Sequence, residues 1–154
     1  MNNLVVCGLI NKAMDLGGNE LSVLKADLAF GLPKEDAVIE TLSGFFNENI
    51  EKSKNPYSRY DASSKTTKYE IKSRRNCYLK YPTTIIPVDK TECINGDRLV
   101  FVFNFTDGLY YIEYDKDKFA KYEVKQVEAV RKGGIRTLKD HFFIPIQDLT
   151  EINI

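Results

Sequence analysis

The sequence predicts one mixed α/β domain in which a helix precedes a β-rich body. Its 154 residues, 43% of them hydrophobic, supply enough apolar material for one substantial core but not for two. Helical spacing of apolar residues follows Pro33, and much of the later chain consists of the alternating or continuous apolar runs typical of strands. We therefore expect a single domain over residues 1–154.

The helix is predicted by the segment PKEDAVIETLSGFFNENI, which begins at Pro33. A proline near the start, acidic residues in the first turn, and apolar Val38, Leu42 and Phe45 at helical spacing are typical of an amphipathic helix. The earlier segment LSVLKADLAF, from Leu21, has similar spacing and predicts another helix.

The first strands are predicted in NPYSRYDASSKTTKYEIKSRR, where Tyr69 and Ile71 alternate with Glu70 and Lys72. The polar stretch Ser-Ser-Lys-Thr would join two short strands into a hairpin. A third strand is predicted in TTIIPVD, from Thr83, and its proline indicates that the strand ends there or lies at a sheet edge.

A second hairpin is predicted farther along the chain. The apolar segments LVFVFNF and LYYIEYD flank Thr106, Asp107 and Gly108, and Asp-Gly is a favoured tight-turn dipeptide. After a loop at Lys132-Gly-Gly, the apolar segment FFIPI predicts a late strand.

Composition and charge point to no particular partner. Twenty-two basic and 22 acidic side chains cancel, so a signal for nucleic acid, membrane or an acidic partner must be local. Three cysteines without a Cys-x-x-Cys pair favour reduced thiols and an intracellular, cytoplasmic protein. The N-terminus MNNLVVCGLI has neither the basic region of a signal peptide nor the length of a membrane span.

Two nearly identical pentapeptides, KYEIK from Lys68 and KYEVK from Lys121, are the candidate sites. Glu-x-Lys on a strand places a carboxylate and an ammonium on one face, about 7 Å apart along the chain. For both copies the ordinary alternative is an exposed ion pair on a solvated strand face.

The surroundings favour the first copy. Asp61 lies nine residues before Glu70, and a hairpin would bring both carboxylates beside Lys72. Two carboxylates in contact repel each other unless a cation lies between them, and oxygen ligands suit Mg²⁺. Lys72 would then hold or help to deprotonate an attacking water.

These residues, Asp61 in RYDAS with Glu70 and Lys72 in KYEIKSRR, resemble the PD-(D/E)xK nuclease superfamily. The likeness covers about residues 31–115, although Tyr60 stands where the family's name has proline. It implies a restriction-endonuclease-like core, similar to that of Holliday-junction resolvases: an N-terminal helix, then a central mixed β-sheet with flanking helices. It also implies Mg²⁺, with Mn²⁺ as a substitute, and a homodimer. Phage or large-DNA-virus members, acting in the host cell, are included in the resemblance.

The second copy also has an upstream acid, Asp115, but it follows two strands instead of a helix. Only 29 residues remain after Lys125 to complete a core. The segment FAKYEVKQVEAV is also compatible with a helix, in which Glu123 and Lys125 would face apart.

A further acidic ligand is predicted on the Pro33 helix. At about 100° per residue, Glu35 falls within the apolar arc near the helix start, whereas Glu40 points nearly the opposite way. A carboxylate in a core-facing stripe needs a cationic partner, which a metal held by Asp61 and Glu70 would provide. Glu35 lies four residues after Gly31 and three before the apolar Val38, a spacing that also resembles the helix of resolvase-like family members.

The stretch from Lys65 to Lys80 contains six basic residues and one acidic residue. Such a cluster suits a phosphodiester backbone, and the predicted DNA contacts are Arg74, Arg75, Lys68 and Lys80. The alternative is a solvated charged face. His141, the one histidine, is interpreted as structural or solvent-facing because no nucleophile or metal ligand lies at a recognisable spacing from it.

Three hypotheses follow. The leading one is a Mg²⁺-dependent DNA endonuclease, selective for DNA structure rather than sequence, in which Asp61, Glu70 and Glu35 bind metal and Lys72 orients the water. The second is a non-catalytic nucleic-acid-binding or assembly module with the same fold. The third is an interaction domain whose acidic and basic residues form a surface ion-pair cluster.

Overall fold

The computed structural model describes residues 35–92, 96–130 and 133–153. In chain order the elements are α1 (Glu35–Phe46), β1 (Glu51–Lys52), β2 (Ala62–Ser63), β3 (Thr67–Ser73), β4 (Thr83–Pro87), a 3₁₀ turn (Val88–Thr91), β5 (Arg98–Phe105), β6 (Gly108–Glu113), α2 (Lys116–Phe119), β7 (Glu123–Val130), β8 (Arg136–Pro145), a second 3₁₀ turn (Ile146–Asp148) and β9 (Thr150–Glu151).

The strands form two sheets. The larger has six strands in the order β1-β2-β3-β5-β6-β9, and the smaller has three in the order β4-β8-β7. In the larger sheet β3 and β5 are parallel, while the other neighbouring strands are antiparallel. The chain leaves β3, crosses to the smaller sheet as β4, and returns as β5.

Each face of the larger sheet has its own apolar core. On one face, α1 buries Val38, Ile39 and Leu42 against Tyr69 and Val100. On the other face, the odd-numbered residues of β5, including Phe101 and Phe103, form a second core. They pack against Ile86 and Phe142 of the smaller sheet and Phe119 of α2. Alternation along β3 and β5 therefore decides which core each side chain enters.

Most predicted elements within the described residues are confirmed. The helix after Pro33, the hairpin of β2 and β3, the strand that ends at Pro87, and the hairpin of β5 and β6 are all present. Strand β8 contains the predicted FFIPI segment and begins six residues before it, at Arg136. The helix predicted from Leu21 lies outside the described residues.

The fold is mixed α and β, with a multi-stranded sheet and few helices. The restriction-endonuclease-like core with flanking helices stays a prediction: among the described residues α1 covers one face of the larger sheet, and a three-stranded sheet with the single-turn α2 covers the other. Strand β4 pairs with β8 along its whole length to build this second sheet. The apolar pattern of these segments predicts strands but does not indicate which of two sheets they join.

Cys77 is buried and disulfide-bonded, and the described residues contain no other cysteine. The expectation of reduced thiols is therefore wrong for Cys77. In the part of the chain described here, neither helix has the length and apolar character needed to cross a membrane.

Candidate active site

Glu70 is a buried carboxylate in the middle of β3, with a side chain that is 3% exposed. It points away from α1, because its neighbour Tyr69 enters the core beneath that helix. Two residues farther along the same face, Lys72 Nζ lies 2.6 Å from Glu70 Oε1. The Glu-x-Lys spacing therefore produces the predicted pair, but in a largely desolvated environment.

A second ammonium, that of Lys90, contacts the same carboxylate. Lys90 Nζ lies 3.2 Å from Glu70 Oε1 and 3.3 Å from Oε2, and it also donates to the Arg59 carbonyl at 2.6 Å. Two cations thus compensate one buried anion, as burial of a carboxylate requires.

The 3₁₀ turn after β4 holds Lys90 in place. Tyr60 Oη donates to the Lys90 carbonyl at 2.9 Å, and Arg59 donates to the Asp89 carbonyl. From β8, Lys139 Nζ lies 3.0 Å from Asp89 Oδ2. Contacts from two other segments therefore fix the turn above Glu70.

Asp61 lies immediately before β2, beside the same stretch of β3. Its backbone N–H donates to the Tyr69 carbonyl at 3.1 Å, and its Oδ2 accepts from the Ile71 N–H at 2.7 Å. The β2–β3 hairpin therefore brings the Asp61 carboxylate to the backbone N–H of Ile71, the residue after Glu70. The Asp61 side chain is partly exposed, whereas Glu70 is buried.

The donor set suits Mg²⁺ only in part. Asp61 and Glu70 supply two carboxylates, and Mg²⁺ is commonly bound through one or two carboxylates with waters and substrate phosphates. Across the described ranges, no three His, Cys, Asp or Glu side chains group closely enough to hold a metal ion. The Lys90 ammonium already contacts both Glu70 oxygens, so a metal ion that used them would have to displace it.

The inward orientation predicted for Glu35 is wrong. Glu35 is the first described residue of α1, its side chain is 41% exposed, and its carboxylate lies 3.8 Å from Lys52 Nζ. The helix covers the face of the sheet opposite Glu70. The apolar arc predicts the direction of Glu35 around the helix axis. It does not predict which part of the sheet lies beneath the first turn of α1, and there the two-residue strand β1 places Lys52.

Lys52 pairs with the helix carboxylates. Its pKa is raised, first by the hydrogen bond to Asp36 and then by the charges of Glu35 and Asp36, with a smaller contribution from Asp61. Glu35 therefore has a cationic partner at the sheet edge, and we leave it out of the candidate ligand set.

Arg74 joins the two sheets rather than forming part of an open basic face. Its Nε–H donates to Thr84 Oγ1 at 3.2 Å, its Nη2–H donates to the Ile85 carbonyl at 2.7 Å, and its guanidinium lies 5.6 Å from the Phe103 ring centroid. Burial lowers the pKa of Arg74 from its ordinary value.

The other predicted DNA contacts do not form one surface cluster with it. Lys68 Nζ lies 3.9 Å from Asp97, and Lys80 Nζ lies 5.8 Å from the Tyr81 ring centroid. Arg75 and Lys80 are exposed. The charge excess counted along the sequence is therefore divided among an ion pair, the junction between the sheets, and the exposed segment after β3.

The second pentapeptide lies on an edge strand. Glu123 and Lys125 belong to β7, with Lys125 Nζ 3.0 Å from Glu123 Oε1 and side chains 57% and 60% exposed for the lysine and glutamate. The helical alternative for this segment is wrong. His141 is buried opposite Lys125 on β8, and its Nδ1 lies 2.9 Å from the Lys139 carbonyl, which agrees with a structural role.

Lys90 is the residue that sequence reasoning missed. It lies 20 residues after Glu70 in a turn, where a lone lysine is unremarkable in sequence. The nearest signal is the proline that ends β4, since it forces a turn at that point.

No family model, curated protein or solved structure matches this chain.

Proposed function

We propose that the protein is a Mg²⁺-dependent nuclease that hydrolyses DNA phosphodiester bonds. One observation carries the proposal: the buried Glu70 carboxylate is shared by two ammonium groups, while Asp61 is hydrogen-bonded to the backbone one residue farther along β3. Carboxylates and lysines gathered in a desolvated position are a recurring feature of catalytic sites.

In this proposal Asp61 and Glu70 are the metal ligands. Bound Mg²⁺ would supply charge stabilisation at phosphate oxygens and a more acidic water. Lys72, which lies 2.6 Å from Glu70, would hold the attacking water, and Lys90 would be available to contact the substrate phosphate if Glu70 bound the metal. The Lys90 ammonium, which balances Glu70 in the free protein, would thereby pair with the anionic substrate instead.

The second candidate is a nucleic-acid-binding module that does not cleave. The contact of Lys90 with both Glu70 oxygens favours it, because an internal cation already satisfies the carboxylate without metal. In this case the cluster stabilises the junction between β3 and the 3₁₀ turn, and binding resides in other basic groups.

A cleavage assay separates the two candidates. Supercoiled plasmid and branched DNA are incubated with the protein and Mg²⁺, with Mn²⁺, or with EDTA. The nuclease cuts with either metal and stops in EDTA, and Asp61→Asn abolishes cutting. DNA that is retarded in a gel but never cut supports the binding module. If the DNA is neither cut nor retarded, only the interaction domain is left.

The substrate is expected to be a branch or an end rather than one base sequence. The described loops are short, and reading a sequence requires an extended contact with base edges. Cleavage at a single defined sequence in linear duplex would contradict this part of the proposal. The homodimer implied by the resemblance is tested on the same preparation by light scattering.

A further inference from the structure

A pocket of about 410 Å³ opens where β3 ends, between the two sheets. Its walls include Arg74, Tyr78, Tyr81 and Phe143, with Thr84 and Asn76 among its polar groups, and it does not include Asp61 or Glu70. Among the residues that the structure describes, no acidic side chain lines it. A volume in this range is typical of sites that take a small molecule or one unit of a polymer.

Arg74 gives this pocket a positive charge that no described carboxylate compensates. Nε–H and Nη2–H each make one hydrogen bond to the protein, which leaves three of the five guanidinium N–H groups without an acceptor among the described residues. No described carboxylate lies within ion-pair distance of it. A desolvated cation of this kind attracts an anionic ligand.

The aromatic walls suit a planar group. Tyr78 is held rigidly, because its ring stacks on Tyr110 at 4.0 Å and its hydroxyl donates to the Ile146 carbonyl at 2.7 Å. Tyr81 is 54% exposed, so one face of its ring is available at the rim. Bases stack on such side chains regardless of sequence.

Two lysines lie beside the rings. Lys80 Nζ lies 5.8 Å from the Tyr81 centroid, and Lys125 Nζ, which is ion-paired with Glu123, lies 5.2 Å from the centroid of Phe143 on the neighbouring strand β8. The exposed Lys80 therefore adds positive charge at the rim beside Tyr81.

The pocket also lies in line with the candidate active site. Glu70, Lys72 and Arg74 alternate along one face of β3 and its continuation, so Arg74 follows Lys72 by about 7 Å along the chain. A strand whose phosphate lay at Lys72 would carry a neighbouring nucleotide towards the pocket.

We propose that this pocket binds one nucleotide, with its phosphate at Arg74 and its base against the aromatic side chains, chiefly Tyr81. The preference for a planar anion follows from the pocket itself, whereas its identity as a nucleotide rests on the proposed function. The nucleotide belongs either to a single-stranded end or flap of the DNA substrate or to a free mononucleotide.

The test measures binding in EDTA, where no cleavage occurs, by fluorescence anisotropy of a labelled oligothymidylate. Unlabelled thymidine monophosphate and thymidine serve as competitors. Wild-type protein is compared with Tyr81→Ala and with Tyr57→Ala, a matched control because Tyr57 is 92% exposed and lies outside the pocket. Circular dichroism confirms that each variant is folded, and Arg74→Lys tests the guanidinium while retaining its charge.

We expect Tyr81→Ala to weaken oligonucleotide binding about 5-fold or more, as loss of one stacked base predicts, and Tyr57→Ala to leave it unchanged. Thymidine should compete much more weakly than thymidine monophosphate if the monophosphate is the ligand. Competition by the oligonucleotide alone would identify a strand segment instead. Equal binding by the two tyrosine variants, or no binding by wild type, would overturn the proposal.

The same data distinguish this inference from the proposed function. Tyr81-dependent binding in EDTA without any Mg²⁺-dependent cleavage would reject the nuclease and retain the pocket. Cleavage that requires Glu70 but is indifferent to Tyr81, together with unchanged binding, would reject the pocket and retain the nuclease.

Discussion

The two Glu-x-Lys pairs have almost the same local sequence and the same local geometry, but opposite surroundings. Glu70 and Lys72 lie 2.6 Å apart with the glutamate 3% exposed, whereas Glu123 and Lys125 lie 3.0 Å apart with the glutamate 60% exposed. Both pairs form because alternate residues of a strand share a face. Among the described residues, only the first meets a second cation, Lys90.

The difference comes from strand position. Strand β3 lies between β2 and β5 and is covered by a layer on each side, whereas β7 is an edge strand with eight residues of which seven are exposed. An ion pair in water contributes little, because solvent screens it and two long side chains must be ordered. Solvent screens a buried pair much less, so the Glu70 carboxylate interacts more strongly with the neighbouring charges.

The largest expected difference between the pairs is in cleavage. Glu70→Gln keeps the shape of the side chain but removes the charge that our proposal assigns to metal binding, so Mg²⁺-dependent cleavage should fall about 100-fold or more. Glu123→Gln should leave the rate unchanged. Initial rates on plasmid DNA at saturating Mg²⁺ measure both, and greater sensitivity at Glu123 would reverse the choice between the pentapeptides.

The second difference is in stability. Glu70→Ala leaves the Lys72 and Lys90 ammonium groups without their anion, and because the lysines are 29% and 24% exposed we expect a loss of about 2–3 kcal/mol in unfolding free energy. Glu123→Ala should cost about 0.5 kcal/mol or less. Urea denaturation measures both. Equal losses would show that the Glu70 pair behaves as a surface pair.

The third difference is in metal affinity. Lys90→Met removes the ammonium that contacts both Glu70 oxygens, so Mg²⁺ should bind roughly tenfold more tightly to the variant. Lys125→Met, at the other pair, is the matched control and should have no effect. Isothermal titration of metal-free protein gives the affinities, and weaker binding by Lys90→Met would argue against displacement of Lys90 by metal.

The smallest difference is in salt dependence. A double-mutant cycle on Glu123 and Lys125 should give a coupling of about 0.3–0.5 kcal/mol that disappears in roughly 1 M NaCl, because the Debye length then falls to about 3 Å. The cycle on Glu70 and Lys72 should keep most of its coupling. Urea denaturation at low salt and again in the concentrated NaCl provides the values. Loss of both couplings would mean that solvent reaches Glu70.

Local periodicity determined much of the fold within the described residues. The helix after Pro33, the β2–β3 hairpin and the end of β4 at Pro87 each follow from spacing or a turn residue within a few positions. The hairpin of β5 and β6 was also predicted, although its turn lies at Thr106 and Asp107, because Gly108 already pairs with Phe105. A side chain at Gly108 would crowd Tyr110, whose Cε2 would lie 3.1 Å from the added Cβ.

The sequence by itself also placed Lys72 beside Glu70 and Asp61 beside the backbone of Ile71, since a hairpin register and a two-residue alternation are local properties. Only the tertiary structure decided that Glu70 is buried, that Lys90 approaches it from a turn 20 residues away, and that Glu35 is exposed beyond the sheet. Periodicity fixes the direction of a side chain about its own element. What covers that side chain depends on how distant segments pack, and the physical cost of burying a charge makes that packing decide the chemistry.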